Sequence, residues 1–258
     1  MDAPVRDRPL TPVELTRLRL ILSTFRDGSG QRVKAGFMPN FLSFERSCAR
    51  VIGGSTNENK GVFDVEVPGD GQSKPWGVSC KMAVTQPVKN GCWFMELSNS
   101  AKYLHDALGR AGIQDWRADA QSVGPVLVNT VVSWHEQARE KYDVDSSKYL
   151  LLTHDAKWRR FRVACFRLDI LTRTPPNEVI WETSGSRENI SSVVGYVEFD
   201  NSRHRLWSWY ANSGGQLKFY PPLGWEEWSS DEFELLSPPI KDLKDRVDEY
   251  WPSEWPCD

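Results

Sequence analysis

The chain has 258 residues, of which 40% are apolar and 26% charged, and carries a net charge of −3. That length supports one sizeable core or two lobes, and the composition is ordinary for a soluble globular protein. The acidic balance excludes a uniformly basic, histone-like nucleic-acid binder while leaving room for a local basic cleft.

Five cysteines at positions 48, 80, 92, 165 and 257, with no C-x-x-C pair, predict a reducing compartment and no structural zinc. The first residues lack an apolar signal core, and no apolar run approaches membrane-spanning length. A cytoplasmic protein without a membrane partner is expected. No phosphate-binding glycine loop appears, so no nucleotide cofactor is expected.

In chain order, Thr11-Pro12-Val13-Glu14 predicts a helix start, with Thr as N-cap, Pro in the first turn and Glu closing a capping box. Leu15, Leu18, Ile21, Leu22 and Phe25 form its apolar stripe. A second helix is predicted over residues 40–52, capped by Asn40 and stopped by Gly53-Gly54. Its stripe is Phe41, Phe44, Cys48, Ala49, Val51 and Ile52, and Glu45 falls inside it. A carboxylate there is costly unless paired or bound to metal. Glu45 therefore either meets a core cation or backbone group, or faces a metal ion.

Residues 61–67 and 76–82 alternate with period two: Phe63, Val65 and Val67 against Asp64 and Glu66, then Val78, Cys80 and Met82 against Ser79 and Lys81. Residues 68–75 supply turn chemistry. Symmetric closure sets Asp64 opposite Lys81, Glu66 opposite Ser79 and Val65 opposite Cys80. One face is then apolar, and the other carries two carboxylates, a hydroxyl and an ammonium. The polar face reads either as a solvated ion pair or as a Mg²⁺ site using Asp64 and the main-chain carbonyl of Cys80. Lys81 would orient water there and offset charge on a phosphate.

Beyond the hairpin, residues 92–97 read as a strand that sets Glu96 ahead of a helix over 101–108. Pro125 is expected to open a helix reaching about residue 142. Residues 148–153, with three successive leucines, read as a buried central strand. Further strands are predicted at 160–170, 193–199, 205–210 and 216–220. A short charged helix and a Trp/Pro-rich tail close the chain. The expected class is α/β, a central mixed sheet flanked by helices, with a β-rich C-terminal half.

Asp64 and Ser79-Cys80-Lys81, with Glu45 ahead of them and Glu96 behind, resemble the PD-(D/E)xK nuclease superfamily, which holds most type II restriction endonucleases. The resemblance implies a core of a helix, a mixed sheet and another helix, with the acid on the second strand and the tripeptide on the third. In members with a Ser-Cys-Lys strand the second metal carboxylate is a glutamate further downstream. That role falls to Glu96, with Glu66 as the competitor. The sequence departs from the pattern in having Phe63 rather than Pro before Asp64, and only 16 residues between Asp64 and Lys81.

The resemblance implies a Mg²⁺-dependent endonuclease of restriction type that cuts double-stranded DNA at a specific sequence. Asp64, a second glutamate and the Cys80 carbonyl would hold the metal, Lys81 would position water, Ser79 would bond a metal-bound water or phosphate oxygen, and Glu45 would assist. Symmetric cutting makes a homodimer the expected assembly. Residues 1–145 would hold the N-terminal helices and nuclease core, and residues 146–258 the rest of the sheet and a β-rich recognition region, within one compact domain. DNA contacts are expected from Lys157, Arg159, Arg160 and Arg162, with Arg187, Arg203 and Arg205 beyond. A repair or structure-selective nuclease with the same core and a noncatalytic DNA- or protein-binding module are the alternatives.

Overall fold

The computed structural model describes residues 2–56, 61–71, 73–84, 91–98, 101–186, 189–199, 201–212, 215–240 and 242–252. The elements begin with helix α1 (Pro12–Thr24), strands β1 (Gln31–Val33) and β2 (Gly36–Met38), and helix α2 (Phe41–Ile52). Strands β3 (Ser55–Thr56), β4 (Val65–Val67), β5 (Trp76–Val84) and β6 (Met95–Ser98) follow, then helices α3 (Ala101–Arg110) and α4 (Ala120–Ala138). Next come β7 (Lys148–His154), β8 (Phe161–Arg167), a 3₁₀ turn (Leu168–Thr172), β9 (Ile180–Ser186) and β10 (Asn189–Phe199). Strands β11 (Ser202–Tyr210), β12 (Gln216–Phe219) and β13 (Trp228–Ser229) and helix α5 (Leu243–Tyr250) complete the series. The fold is α/β.

Two compact units interleave along the chain, one holding residues 1–84, 146–165 and 228–258, the other 85–145 and 166–227. The boundary expected at residue 145 is one of four crossings between them.

In the first unit the strands run β13-β8-β7-β5-β4-β3. β4 is antiparallel to both β3 and β5, whereas β5 and β7 are parallel, which makes the sheet mixed. A parallel pair needs a long crossover, and here residues of the second unit supply it. Helix α2 packs on β3, β4 and β5, with α1 against α2. Phe44, Cys48, Ala49 and Ile52 meet Val65, Val67, Trp76, Val78, Cys80, Leu150 and Leu152 in one core.

Local chemistry explains the helix ends. Thr11 accepts the Glu14 N–H at 3.2 Å while Glu14 accepts the Thr11 N–H at 2.8 Å, the expected capping box. Arg8 forks onto the same carboxylate at 2.7 and 2.9 Å, and holds the carboxyl down at about 2. Asn40 caps α2, and Gly53 ends it in the left-handed conformation at φ 77°.

The buried face of α2 is Ser43, Phe44, Ser47, Cys48, Ala49 and Ile52. Phe41, expected inside, is 60% exposed. Ser43 and Ser47 are buried with the apolar residues of that face, and Glu45 is only partly buried, at its edge. Strand β4 is shorter than its alternation suggested, and residues 61–64 enter it without being part of it.

The second unit carries an antiparallel sheet of order β6-β12-β11-β10-β9. Helix α4 packs on β9 and β10, and α3 on α4. Helix α4 starts earlier than expected, because Asp119 caps it through the Ser122 N–H at 3.1 Å, and Pro125 sits within its second turn. Trp181, Trp207 and Trp209 are buried here, with Trp207 on Phe219 at 4.4 Å and Trp209 on Trp116 at 5.4 Å. These tryptophans fill a core. Among the described residues no helix is long and apolar enough to cross a membrane.

Candidate active site

The β4–β5 hairpin sets the site. Its register pairs Val65 with Val78, Glu66 with Gly77 and Val67 with Trp76, and the Asp64 N–H donates to the Val78 carbonyl at 3.1 Å. Asp64 therefore lies beside Ser79 rather than opposite Lys81, a slip of two residues from the expected pairing. Two residues 76–77 drive it. The Trp76 indole is buried opposite Val67, and Gly77 leaves room for the Phe63 ring, which any Cβ there would overlap. A two-residue slip preserves facing, since the side-chain period is two. Asp64, Glu66, Ser79 and Lys81 still share one face, and Cys80 points to the core.

Three groups converge on one carboxylate oxygen. Asp64 Oδ2 accepts the Cys80 N–H at 2.7 Å and the Ser79 hydroxyl at 3.4 Å, and lies 3.9 Å from Lys81 Nζ. The carboxylate is 31% exposed and the ammonium 19%, so the pair sits in a partly screened recess. Because N–H and C=O of one strand residue point the same way, the Cys80 carbonyl is directed to the side where Asp64 lies. β4 begins only at Val65, which leaves that carbonyl beyond the end of the ladder. The Cys80 thiol is different. Its contact with Cys48 and its burial push its pKa far up, so it is a neutral core group.

Glu45 joins from α2. Burial, and then the negative charge of Asp64, raise its carboxyl from an ordinary 4.5 to about 7, with Lys81 and Arg46 acting in the opposite direction. Two carboxyl groups thus share a recess with one lysine. Repulsion between like charges in such a place is relieved by a proton or by a cation.

Tyr149 completes the floor and was not singled out by the sequence, where it read as one more residue of a buried strand. It pairs with Ser79 across the parallel β5–β7 ladder and is 2% exposed. Burial and the Asp64 charge both push its phenol pKa upward. The parallel register, invisible in the sequence, is what puts it on the Asp64 face.

Glu66 and Glu96 fare differently from expectation. Glu66 lies between Ser55 and Gly77, on the side of Asp64 away from Lys81. Glu96 belongs to β6 in the second unit, opposite Lys218 of β12, not to the sheet that carries Asp64. The strands at 61–67, 76–82 and 92–97 do not form one continuous sheet.

Of the basic residues, Lys157 and Arg159 are exposed on the turn between β7 and β8. Arg160 pairs with Glu232 at 3.4 Å. Arg162 is taken up in fastening β13, donating to the Ser230 carbonyl at 2.9 Å and the Ser229 hydroxyl at 2.6 Å. Arg203 and Arg205 belong to β11 in the second unit, where Arg203 pairs with Glu182 at 2.6 Å and lies over the Tyr196 ring. Arg187 lies outside the described residues. His154, at the end of β7, stacks on Trp158 at 3.5 Å, and Asp155 accepts the Arg159 and Arg160 N–H groups, so both shape the turn.

Asp64, Glu45 and the Cys80 carbonyl are all hard oxygen donors. Such a set fits Mg²⁺, which is bound through one or two carboxylates and completes its shell with water and substrate oxygens. Among the described residues no group of three or more His, Cys, Asp or Glu side chains gathers as a metal site. No family model matches the chain, and searches of curated proteins and of solved structures find no match.

Proposed function

We propose that the chain is a Mg²⁺-dependent endonuclease of restriction type, hydrolysing phosphodiester bonds in double-stranded DNA and acting as a homodimer in the cytoplasm. The observation that carries this reading is the Asp64 carboxylate, held by the Cys80 N–H with Lys81 Nζ at 3.9 Å and Glu45 coupled to it. The strand sequence β3-β4-β5-β7, preceded by α2, also agrees with the nuclease core to which the PD-(D/E)xK resemblance points.

In this reading Asp64 and the Cys80 carbonyl hold the ion, with Glu45 in the place first given to Glu96. Mg²⁺ supplies polarisation of the scissile phosphate and a more acidic water. The Cys80 N–H fixes the Asp64 carboxylate so that its orientation costs no reorganisation during the reaction. Lys81 orients the attacking water and offsets charge that develops on the phosphate oxygens. Ser79, whose hydroxyl donates to Asp64 at 3.4 Å, is placed to offer that hydroxyl to a metal-bound water or a phosphate oxygen. Glu45 assists from α2 as the second carboxylate beside Asp64.

Plasmid DNA incubated with the protein and Mg²⁺ is expected to give discrete fragments. Lys81→Ala and Asp64→Ala should each lower the rate by about 10²–10³, the usual loss for a residue stabilising developing charge. Cutting that persists in both variants rules the reading out. Nicking confined to branched or damaged DNA would assign the same core to repair.

A further inference from the structure

A cleft of about 930 Å³ opens in the first unit. Arg26, Lys34, Lys157 and Arg159 line it, with Glu234 the one carboxylate among the described lining residues and Trp158 in its wall. The four cations come from chain segments far apart in sequence. Lys34 lies in the turn of the β1–β2 hairpin, and Lys157 and Arg159 lie in the turn from β7 to β8. Arg26 is fixed by donating to the carbonyls of Leu235 and Leu236 at 3.0 and 2.9 Å. Lys34, Lys157 and Arg159 are exposed, and among the described residues none of them pairs with a carboxylate.

Topology relates this cleft to the recess at Asp64. β5 and β7 are parallel and pair Val84 with His154, three residues beyond Lys81. The basic turn therefore leaves the same end of the sheet as Lys81, about 10 Å further along at the rise of a strand. Asp64, at the entry of antiparallel β4, lies at that end too. So does the N-terminal half of α2, which carries Glu45 and directly follows the β1–β2 hairpin.

Long, exposed cations on two facing turns suit a run of phosphates better than a small buried anion, which needs convergent donors. One face of Trp158 is covered by the His154 ring stacked on it at 3.5 Å. We propose that this cleft holds the phosphate backbone of duplex DNA beside the scissile bond, with Lys34, Lys157 and Arg159 each contacting a phosphate. The contacts are sequence-independent: they set register, while bases are read elsewhere. This inference rests on the nuclease reading of Asp64 and Lys81.

The test measures fluorescence anisotropy of a labelled duplex of arbitrary sequence over a salt series in EDTA. It compares the wild type, the triple variant Lys34→Ala/Lys157→Ala/Arg159→Ala, and a control, Arg110→Ala, at an exposed position of helix α3. Three lost phosphate contacts should flatten the slope of log K against log salt by roughly 2–3, at about 0.9 per contact. Affinity should fall at least tenfold, with the control unchanged. A triple variant with wild-type affinity and slope overturns the cleft but leaves metal-dependent cutting by Asp64 and Lys81 standing. If binding falls as expected but plasmid is not cut by the wild type in Mg²⁺, the cleft stands and the catalytic reading fails. Wild-type protein that does not bind duplex at any salt overturns the cleft.

Discussion

Glu45→Gln should stabilise the metal-free protein, and only at the alkaline end. The native carboxyl binds its proton up to about 7, against an ordinary 4.5. Below the ordinary value the group is protonated in both folded and unfolded chains and costs nothing. As pH rises from 4.5 to 7 the unfolded chain has already released the proton that the folded one retains, so wild-type stability falls across that window. Above it the whole penalty is present. The 2.5 pH units between the two values correspond to about 3.4 kcal/mol at roughly 1.4 kcal/mol each. Glu45 is only half-buried, and screening reduces this to about 1–2 kcal/mol. Glutamine keeps the shape and never ionises. Urea denaturation in EDTA, followed by tryptophan fluorescence, should show the variant ahead of the wild type by that amount at pH 8 and by much less at pH 5. An equal gap at both pH values would mean that Glu45 titrates like a surface carboxylate, and it would leave the proposed site.

Mg²⁺ should raise the wild-type stability by about 2.7 kcal/mol at a hundredfold excess over its Kd, and Asp64→Ala should abolish that gain. Equal stabilisation of both proteins in thermal denaturation would place the ion elsewhere. Gly77→Ala forces the Phe63 ring away and should cost about 1–3 kcal/mol. An unchanged urea midpoint would show that the ring relocates freely. Thr11→Ala removes the α1 cap and should cost about 1 kcal/mol without altering cutting; a change in cutting rate would show that α1 does more than support α2.

The features already decided along the sequence are local ones. The caps at Thr11, Asn40 and Gly53 are satisfied by atoms within a few residues, so nothing distant can override them. The common facing of Asp64, Ser79 and Lys81 follows from strand periodicity and survives a slip of two residues. Register itself is not local. It follows from burying Trp76 and from the Phe63 ring lying over Gly77, which only the folded hairpin brings together.

Longer-range placement depended wholly on tertiary structure. Glu96 looked convergent because three strand-like runs follow one another, yet pairing with β12 draws β6 into another sheet. Glu45 changes its acidity because α2 packs it beside Asp64, and Tyr149 enters the site because a parallel ladder aligns β7 with β5. Lys34 and Lys157 share a cleft although more than a hundred residues separate them. A sequence prescribes which way a side chain faces along its own element. Which elements become neighbours depends on burying apolar surface from distant segments together, and that is settled only when the whole unit folds.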